Sequence, residues 1–355
     1  MTQITRAKKG TVLKKILLIL IAGILALLIA FFVLFRGELS TLNSLSRVEE
    51  GVNLFTMEYK ADYALDKFLE TGASTDAELV DFIVKQVTKG IPLEFDLPNL
   101  GCSTFAAKLE DGTPIFGRNF DMYDSPALFV TTRPKDGYAS ISMVNLAYIG
   151  YSSQKLPTSL MRSIMTLAAA YTPLDGVNEK GLAVGVLQVQ IRPTNQQTDK
   201  VDITTTSAIR LMLDRAATVE EAIDLLKQYD MHASAGSCYH FHLADANGGS
   251  AIVEYIDDEM SVVQGDAATN FLLTAERYGV GSGQDRYGIL RAALDENRGV
   301  FANDEQAMKL LEAVSQPVQE SKKNSTQWSC VYNQRDASVD IAMNMNYEKI
   351  YTFGL

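Results

Sequence analysis

The stretch LGCSTFAAKLEDGTPIFGRNFDMY, Leu100–Tyr123, decides the fold of this chain. Two runs typical of β-strands flank the dipeptide Asp111-Gly112, a strong short-range signal of a β-hairpin. With a two-residue turn at this dipeptide, Cys102 lies directly opposite Asp121. Direct partners share one face of a sheet, with Cβ atoms about 5 Å apart. The sequence therefore predicts a thiol beside a carboxylate.

Arg118 is the third chemically active residue of this hairpin. It lies three residues before Asp121, so a regular strand turns it to the opposite face. It reaches the thiol only if the strand end bends or bulges around Asn119.

A thiol in this position attacks an amide only if a base takes its proton. The three histidines, His232, His240 and His242, lie far from Cys102 in the sequence. A cysteine that begins its chain has its own α-amine as a base. That route requires cleavage of the bond between Gly101 and Cys102, and the preceding hundred residues would then be an anchor and a pro-segment.

The N-terminal segment predicts a membrane anchor. Residues 16–35 are twenty uncharged apolar residues, the length of a membrane-spanning helix, and four lysines lie in residues 8–15. The positive-inside rule places residues 1–15 in the cytoplasm as a short tail and everything after Arg36 outside. The alternative is a cleaved signal peptide, but no small-residue cleavage site follows the apolar run. We therefore expect an uncleaved, single-pass anchor.

The charge balance excludes some partners. The first 36 residues hold six of the 32 Lys and Arg residues and none of the 43 Asp and Glu residues, which leaves the rest with a net charge of −17. Such an acidic chain is unsuited to nucleic acid or to docking on anionic headgroups. The predicted membrane contact is therefore the N-terminal helix alone.

The three cysteines leave two arrangements open. Outside the cell, Cys238 and Cys330 can form a disulfide with Cys102 free, or both can be small buried hydrophobic residues.

The region before Cys102 reads as helical from Glu38 to Pro98. Thr75 and Glu78 form a predicted capping box, followed by an apolar stripe at helical spacing. We assign residues 37–101 to a helical pro-segment. Further helix starts are predicted at Thr218 and Asn303.

From Cys102 onward, strand-like runs come in hairpins rather than in alternation with helices. This pattern favours antiparallel sheets with helices on their outer faces, an α+β layered architecture. The clearest runs are GLAVGVLQVQI (181–191), YHFHLADANGGSAIVEYID (239–257) and WSCVYNQRDASVDIAMNM (328–345).

Four segments resemble one enzyme family in the same order. GCSTFAAKLEDGTPIFGRNFD (101–121) resembles the start of the catalytic chain of the N-terminal-nucleophile (Ntn) amidases of the choloylglycine hydrolase, penicillin V acylase and acid ceramidase group. The later matches are DGVNEKGLAVGVLQ (175–188), ATNFLLT (268–274) and SGQDRYGIL (282–290). The resemblance covers residues 102–355 and implies an Ntn αββα sandwich as the catalytic domain. The long leader resembles the acid ceramidase plan, in which a pro-segment is cut from the catalytic chain.

The resemblance also implies roles for individual residues. Cys102 would be the nucleophile, Asp121 would hold its ammonium, and Arg118 and Arg286 would stabilise the thiolate. Asn270 and Gln188 would receive the oxyanion, although Gln188 stands where the family has an asparagine. No metal or cofactor is implied, and the substrate would be a small N-acyl amide such as a bile salt, a penicillin, a fatty-acyl amide or an acyl-homoserine lactone.

Two other functions stay open at the level of the sequence. The chain could be an anchored binding or structural protein on a catalytically silent scaffold, or a surface domain in which Cys102 forms a disulfide. His240 and His242 share one strand face and could bind a metal, but no third ligand has suitable spacing.

Overall fold

The computed structural model describes residues 2–92, 101–318 and 324–355, with side chains from residue 15 onward. The α-helices are α1 (Thr2–Leu34), α2 (Arg36–Ser44), α3 (Leu65–Thr71), α4 (Asp76–Gln86), α5 (Leu160–Ser163), α6 (Thr205–Arg215), α7 (Val219–Leu226), α8 (Gln284–Glu296) and α9 (Asp304–Ala313). Short 3₁₀ turns cover Leu146–Ile149, Ile164–Tyr171, Ser234–Gly236 and Ala275–Arg277.

The described strands form two large sheets. One has nine strands: β1 (Ser46–Arg47), β2 (Leu54–Tyr59), β5 (Ala127–Thr132), β6 (Ser140–Asn145), β7 (Pro173–Asn178), β8 (Ala183–Val189), β11 (Cys238–Ala244), β12 (Ser250–Ile256) and β13 (Glu259–Gln264), in that spatial order. The other follows the order β14 (Ala267–Ala268), β3 (Gly101–Leu109), β4 (Pro114–Met122), β16 (Ser325–Asn333), β17 (Ser338–Met343) and β18 (Ile350–Gly354), with β15 (Val300–Phe301) also on β3. A separate parallel pair joins β9 (Val201–Thr204) and β10 (Tyr229–His232).

The two sheets pack face to face, with helices outside them. Thr104 on β3 meets His242 on β11, and a Cβ added to Gly185 on β8 would lie 3.1 Å from the Phe116 ring. A side chain at this point would be tightly packed against the facing sheet, so Gly185 eases the close approach. Helices α8 and α9 cover the outer face of the seven-stranded sheet, and α6 packs on β7 of the other sheet. This αββα arrangement confirms the predicted fold class.

The predicted helix starts are confirmed. The side chains of Thr75, Thr218 and Asn303 each accept a hydrogen bond from the backbone N–H three residues later, at 3.2, 3.2 and 3.0 Å. Short polar side chains are favoured at these positions because they satisfy an otherwise unpaired N–H group of the first helical turn.

The opening hairpin forms, but its turn is one residue longer than predicted. The Leu109 N–H donates to the Thr113 carbonyl at 2.8 Å, which leaves Glu110, Asp111 and Gly112 in the loop. Gly112 has φ +82°, the left-handed conformation that closes a three-residue hairpin loop. The predicted two-residue turn is therefore wrong by one position.

This single residue changes which side chains face each other. Cys102 lies opposite Phe120, Asp121 lies opposite Gly101, and Arg118 lies opposite Thr104. Because partners share a face, Arg118 is on the same face as Cys102 and Asp121 is on the other. The predicted faces of Arg118 and Asp121 are therefore both wrong, and Arg118 needs no bulge in the strand to reach the thiol.

The segment before Cys102 is not purely helical. It contains α2, α3 and α4, but β2 also enters the nine-stranded sheet as a parallel partner of β5. Residues 46–59 therefore contradict the prediction of an entirely helical segment. Alternating apolar residues explain the strand, because Phe55, Met57 and Tyr59 are each at most 4% exposed.

Several further contacts tie this segment to the rest of the chain. The Phe68 ring is fully buried and packs edge-to-face on Tyr171, at 5.4 Å between ring centroids. The Tyr63 hydroxyl donates to Asp214 at 2.6 Å, and the Tyr59 hydroxyl donates to the Leu167 carbonyl at 2.6 Å.

The apolar N-terminal helix projects away from this body. Residues 15–34 have a mean hydropathy of 3.3 and none of them is buried, so their length and composition suit a membrane span or a signal sequence. Lys89 ties the end of this helix to the folded part. Its ammonium donates to the Leu34 carbonyl at 2.6 Å, lies 2.6 Å from the Glu38 carboxylate and 4.8 Å from the centre of the Phe35 ring.

We expect the N-terminal segment to stay bound after the chain is cut between residues 92 and 101. The segment supplies a buried strand and the Phe68 ring, and a Phe→Ala change in a core typically costs about 3–5 kcal/mol. A protease site introduced between residues 92 and 101 of the detergent-solubilised protein should give two fragments that co-elute in size exclusion. Phe68→Ala should lower the midpoint of thermal unfolding, whereas Asp81→Ala on the exposed side of α4 should not. A C-terminal fragment that elutes alone would contradict this expectation.

Candidate active site

Cys102 is the second residue of β3, and its thiol lies in the interior between the two sheets. The residue is fully buried. Burial raises the pKa of the Cys102 thiol to about 11, while the Arg118 guanidinium lowers it. In the uncut chain the group is therefore a protonated thiol at neutral pH, beside a cation that favours its ionised form.

Arg118 is placed beside the thiol by the hairpin register and by a second carboxylate. Its Nε lies 3.4 Å from the Asp175 carboxylate on β7, and both side chains are fully buried. Asp175 also accepts hydrogen bonds from the Trp328 indole and the Tyr332 hydroxyl. The Trp328 and Tyr332 contacts fix the Asp175 carboxylate, which in turn orients the Arg118 guanidinium. Neither terminal nitrogen of Arg118 has an oxygen or nitrogen acceptor among the described residues, and the charge of Arg118 acts on the Cys102 thiol.

The backbone of Cys102 is held by two side chains from the C-terminal half of the chain. The Cys102 N–H donates to Asn270 Oδ1 at 2.7 Å, and the Cys102 carbonyl accepts from Arg286 Nη1 at 2.7 Å. Arg286 Nη2 also donates to Asn270 Oδ1 at 2.9 Å. The opposite orientation of the Asn270 amide would place its NH₂ group against two donors, so these contacts determine which atom faces Cys102.

Asp121 lies on the other side of the same backbone. Its Oδ2 is 3.2 Å from Arg286 Nη1, and its Oδ1 accepts from the Thr326 hydroxyl at 2.6 Å. A Cβ added to Gly101 would lie 3.1 Å from the Asp121 Cβ and 3.2 Å from its Oδ2. A larger residue at position 101 would therefore require the Asp121 side chain to shift by a few tenths of an ångström.

Gln188 reaches the site through its backbone. Its carbonyl accepts from Asn270 Nδ2 at 2.8 Å, while its side-chain Nε2 donates to the Ser237 hydroxyl at 2.7 Å. Asn270 Nδ2 is thus engaged with Gln188, and Asn270 Oδ1 is engaged with Cys102 and Arg286. The two amides expected to receive an oxyanion have these contacts in the uncut chain.

All six predicted site residues therefore meet around Cys102, on two faces of β3. Arg118 lies on the thiol face. Asp121, Asn270 and Arg286 lie around the backbone nitrogen and carbonyl, and Gln188 joins them by its main chain. Asp175 was missed, although a lone carboxylate inside the apolar run PLDGV (173–177) was a usable signal.

The remaining cysteines and histidines have structural surroundings. Cys238 and Cys330 are free and buried, so the disulfide alternative is wrong, and Cys102 is free as well. The proposed His240–His242 metal pair has no third ligand, because the described residues contain no group of three possible ligands. Both histidines are hydrogen-bonded to protein atoms instead.

Tyr148, in the loop after β6, adds one more buried polar group. It is 2% exposed, and its hydroxyl has no hydrogen-bond partner in the described part of the chain. Burial raises the pKa of this phenol well above its usual range, and the charges of Tyr239 and Cys102 raise it further. Tyr148 lies in residues 147–160, a segment that also carries Tyr151, Leu156 and Leu160.

Two crystal structures of variants of the conjugated bile acid hydrolase from Clostridium perfringens share this fold. They superpose with TM-scores of 0.52 and 0.53, at 17% and 16% sequence identity, over 72% and 71% of this chain and 92% of each bacterial chain. At this level of identity the likeness concerns the fold alone.

Sequence comparison points to one enzyme family. Penicillin V acylase of Pectobacterium atrosepticum is 33% identical over 99 residues, which is 25% of this chain and only 26% of that protein. Over residues 102–274, with Cys102 as the first matched residue, this chain matches the family model of the linear amide C–N hydrolases, choloylglycine hydrolase family.

Proposed function

We propose that this protein is a membrane-anchored, extracytoplasmic amidase that cleaves linear amide bonds of small N-acyl compounds. Cys102 is its nucleophile, released as the first residue of the catalytic chain by cleavage of the Gly101–Cys102 bond. Residues 1–15 form the cytoplasmic tail, residues 16–35 the membrane anchor and residues 37–101 the pro-segment. Residues 102–355 form the catalytic domain, and no metal or cofactor takes part.

The observation that supports this proposal is the arrangement around one peptide nitrogen. The Cys102 nitrogen is 2.7 Å from Asn270 Oδ1, and its carbonyl is bound by Arg286. Asp121 packs on Gly101, the residue that would be lost. If Gly101 leaves, this nitrogen becomes an α-amine between an amide oxygen and a carboxylate, a few bonds from its own thiol.

The chemistry follows from this placement. In the uncut chain the Cys102 sulfur attacks the Gly101 carbonyl carbon, the peptide C–N bond breaks and the thiol proton passes to the departing nitrogen, so that a thioester forms. The α-amine of Cys102 is free from this point. Water then hydrolyses the thioester, which releases the thiol and leaves Gly101 with a carboxylate. With a substrate, the amine takes the thiol proton as the sulfur attacks the acyl carbon, and it returns that proton to the leaving amine. A second water, deprotonated by the amine, releases the acyl group.

The charged side chains have separate tasks in this scheme. Arg118 stabilises the thiolate, held in position by Asp175. Asp121 holds the ammonium, because a carboxylate beside a new cation lowers its free energy in a buried site. Arg286 binds the Cys102 carbonyl and orients Asn270, and Asn270 and Gln188 supply N–H groups to the oxyanion by side chain or nearby backbone.

Cleavage at the predicted bond is the first test. Intact mass and N-terminal sequencing of the purified protein should give a fragment that begins Cys-Ser-Thr-Phe, and Cys102→Ala should remain uncut and hydrolyse no amide. Cys330→Ala, which removes another buried thiol, should still be cut. An uncut wild-type chain that hydrolyses amides would overturn the assignment of the α-amine. A cut chain without amidase activity would favour a binding protein on the same scaffold.

The pH dependence of this cleavage tests the role of Arg118. Because burial raises the pKa of the Cys102 thiol to about 11, the thiolate fraction grows about tenfold per pH unit below that value. The cleavage rate of freshly synthesised chain should therefore rise from pH 6 to pH 9. Arg118→Gln removes the cation that lowers the thiol pKa and should slow cleavage about tenfold or more, as measured by mass spectrometry over time. Arg335→Gln, on the surface, serves as the control. Equal rates for both variants would contradict thiolate stabilisation by Arg118.

The acyl preference can be measured with amides of one amine. The sequence of loops 123–128 and 147–160 favours an apolar acyl pocket, and each buried methylene contributes about 0.8 kcal/mol, roughly fourfold in kcat/KM. We expect kcat/KM to rise along a series from acetyl to decanoyl amides. A flat series, or a maximum at acetyl, would contradict an apolar acyl pocket and leave the amidase assignment intact.

A further inference from the structure

The segment that bears Asn270 has no regular secondary structure of its own beyond β14. It leaves β14 at Ala268 and continues through Thr274 to the 3₁₀ turn before α8. The Asn270 carbonyl accepts from the Ser282 N–H at 2.8 Å, which ties the segment to the loop before α8. The position of Asn270 relative to Cys102 therefore also depends on the residues that bind this segment on the side away from Ser282.

A buried histidine and a buried glutamate hold it there. His240 on β11 has its Nε2 2.8 Å from the Thr269 carbonyl, one residue before Asn270. Its Nδ1 is 3.2 Å from the Glu254 carboxylate on β12, and both side chains are at most 1% exposed.

Glu254 binds the same segment after Asn270. Its Oε1 accepts from the Leu273 N–H at 2.7 Å, and its Oε2 accepts from the N–H and the hydroxyl of Thr274 at 2.9 and 2.6 Å. His240 and Glu254 together therefore bracket Asn270, with contacts at one residue before it and at three and four residues after it.

The partners of His240 determine its protonation. A backbone carbonyl can only accept, so Nε2 carries a hydrogen. The Glu254 carboxylate already accepts three hydrogen bonds, which favours its ionised form. Burial alone raises the pKa of Glu254, but the bonds from His240 and from Thr274 lower it below its usual range. An ionised carboxylate accepts as well, so Nδ1 also carries a hydrogen.

We propose that His240 and Glu254 are positioning residues for the amidase site, with His240 held as the imidazolium cation so that it donates to both Thr269 and Glu254. This inference rests on the proposed function, because it assigns the pair the task of fixing Asn270 against the Cys102 nitrogen. A neutral His240 carries a single N–H and can satisfy only one of its two acceptors, and loss of the Glu254 charge weakens the hydrogen bonds to Leu273 and Thr274. Either change loosens the hold on Asn270.

The other titratable groups around His240 are consistent with one positive charge there. His242 lies two residues along the same strand, and burial, with the charge of His240, lowers the pKa of His242 to about 3. His242 contacts the hydroxyls of Thr104 and Ser250, which can donate or accept, so it stays neutral. Cys238, on the same strand, has its pKa raised by burial and remains a thiol. Arg286 lies beyond Asn270, 2.9 Å from its Oδ1.

The same strand offers a matched control. His240 and His242 are equally buried and share one face of β11, but only His240 requires two donated hydrogens. We expect Glu254→Gln to lower kcat for amide hydrolysis about tenfold or more with KM changed less than threefold. His242→Gln should stay within about threefold of wild type in both constants.

The split between the two constants separates positioning from general destabilisation. A displaced Asn270 lowers kcat in every folded molecule, whereas a variant that is merely less stable loses folded molecules and keeps its kcat per folded molecule. A Glu254→Gln variant with the kcat of the wild type per folded molecule would overturn the proposal.

A measurement without turnover distinguishes the two proposals. The chain has only three histidines, so ¹⁵N-histidine NMR of the solubilised, full-length Cys102→Ala protein can be assigned with His→Gln variants. We expect both ring nitrogens of His240 to be protonated at pH 7 and those of His242 to show a neutral ring. A neutral His240 would overturn this inference and leave the amidase proposal intact. A wild-type protein that hydrolyses no amide would overturn the amidase proposal, whatever the NMR result.

Discussion

The hydrogen bond from the Cys102 N–H to Asn270 Oδ1 is the contact on which the candidate site depends. It joins the start of β3 to a segment 168 residues away in the chain, and Arg286 completes it by binding both the Cys102 carbonyl and the same amide oxygen. Buried polar atoms need such partners, because an unpaired one costs about 1–3 kcal/mol. The Cys102 nitrogen, which would become the base, is therefore already hydrogen-bonded to a protein atom in the uncut chain.

The two faces of β3 separate two electrostatic tasks. On the inner face, Arg118 and Asp175 lie between the sheets beside the thiol, away from water. On the outer face, Asp121 and Arg286 surround the backbone nitrogen and carbonyl. A strand presents successive side chains to opposite faces, so β4 can hold Arg118 on one face and Asp121 on the other. In the proposed mechanism this division separates Asp121, the partner of the ammonium, from Arg118, the partner of the thiolate.

The segment before Cys102 is part of the folded body. Its strand β2 is buried in the nine-stranded sheet, and Lys89 connects the end of the apolar helix to the fold. We expect a segment that completes a sheet to stay bound by hydrogen bonds and apolar contacts even without a covalent link. If the chain is cut before Cys102 and residues 16–35 span a membrane, as we propose, the cut chain can still be held at the membrane.

Much of the fold could be predicted from local patterns, whereas Gln188, Asn270 and Arg286 could be predicted only from the resemblance to a known family. The apolar helix, the helix starts at Thr75, Thr218 and Asn303, and the hairpins after Cys102 all follow from residues within a few positions of each other. The order of the family-like motifs predicts which residues gather at Cys102. It does not predict which atoms of these residues are in contact.

Tertiary structure alone decided the register, the leader strand and the supporting charges. Whether Asp111-Gly112 closes a two-residue or a three-residue loop depends on how β4 packs between β3 and β16, and that choice exchanged the faces of Arg118 and Asp121. β2 pairs with a strand about seventy residues later. Asp175 binds Arg118 across the two sheets, and His240 and Glu254 bind the segment after β14. Local sequence determines such residues' propensities, but contacts between distant segments are set by the packing of whole layers, where each pairing depends on all the others.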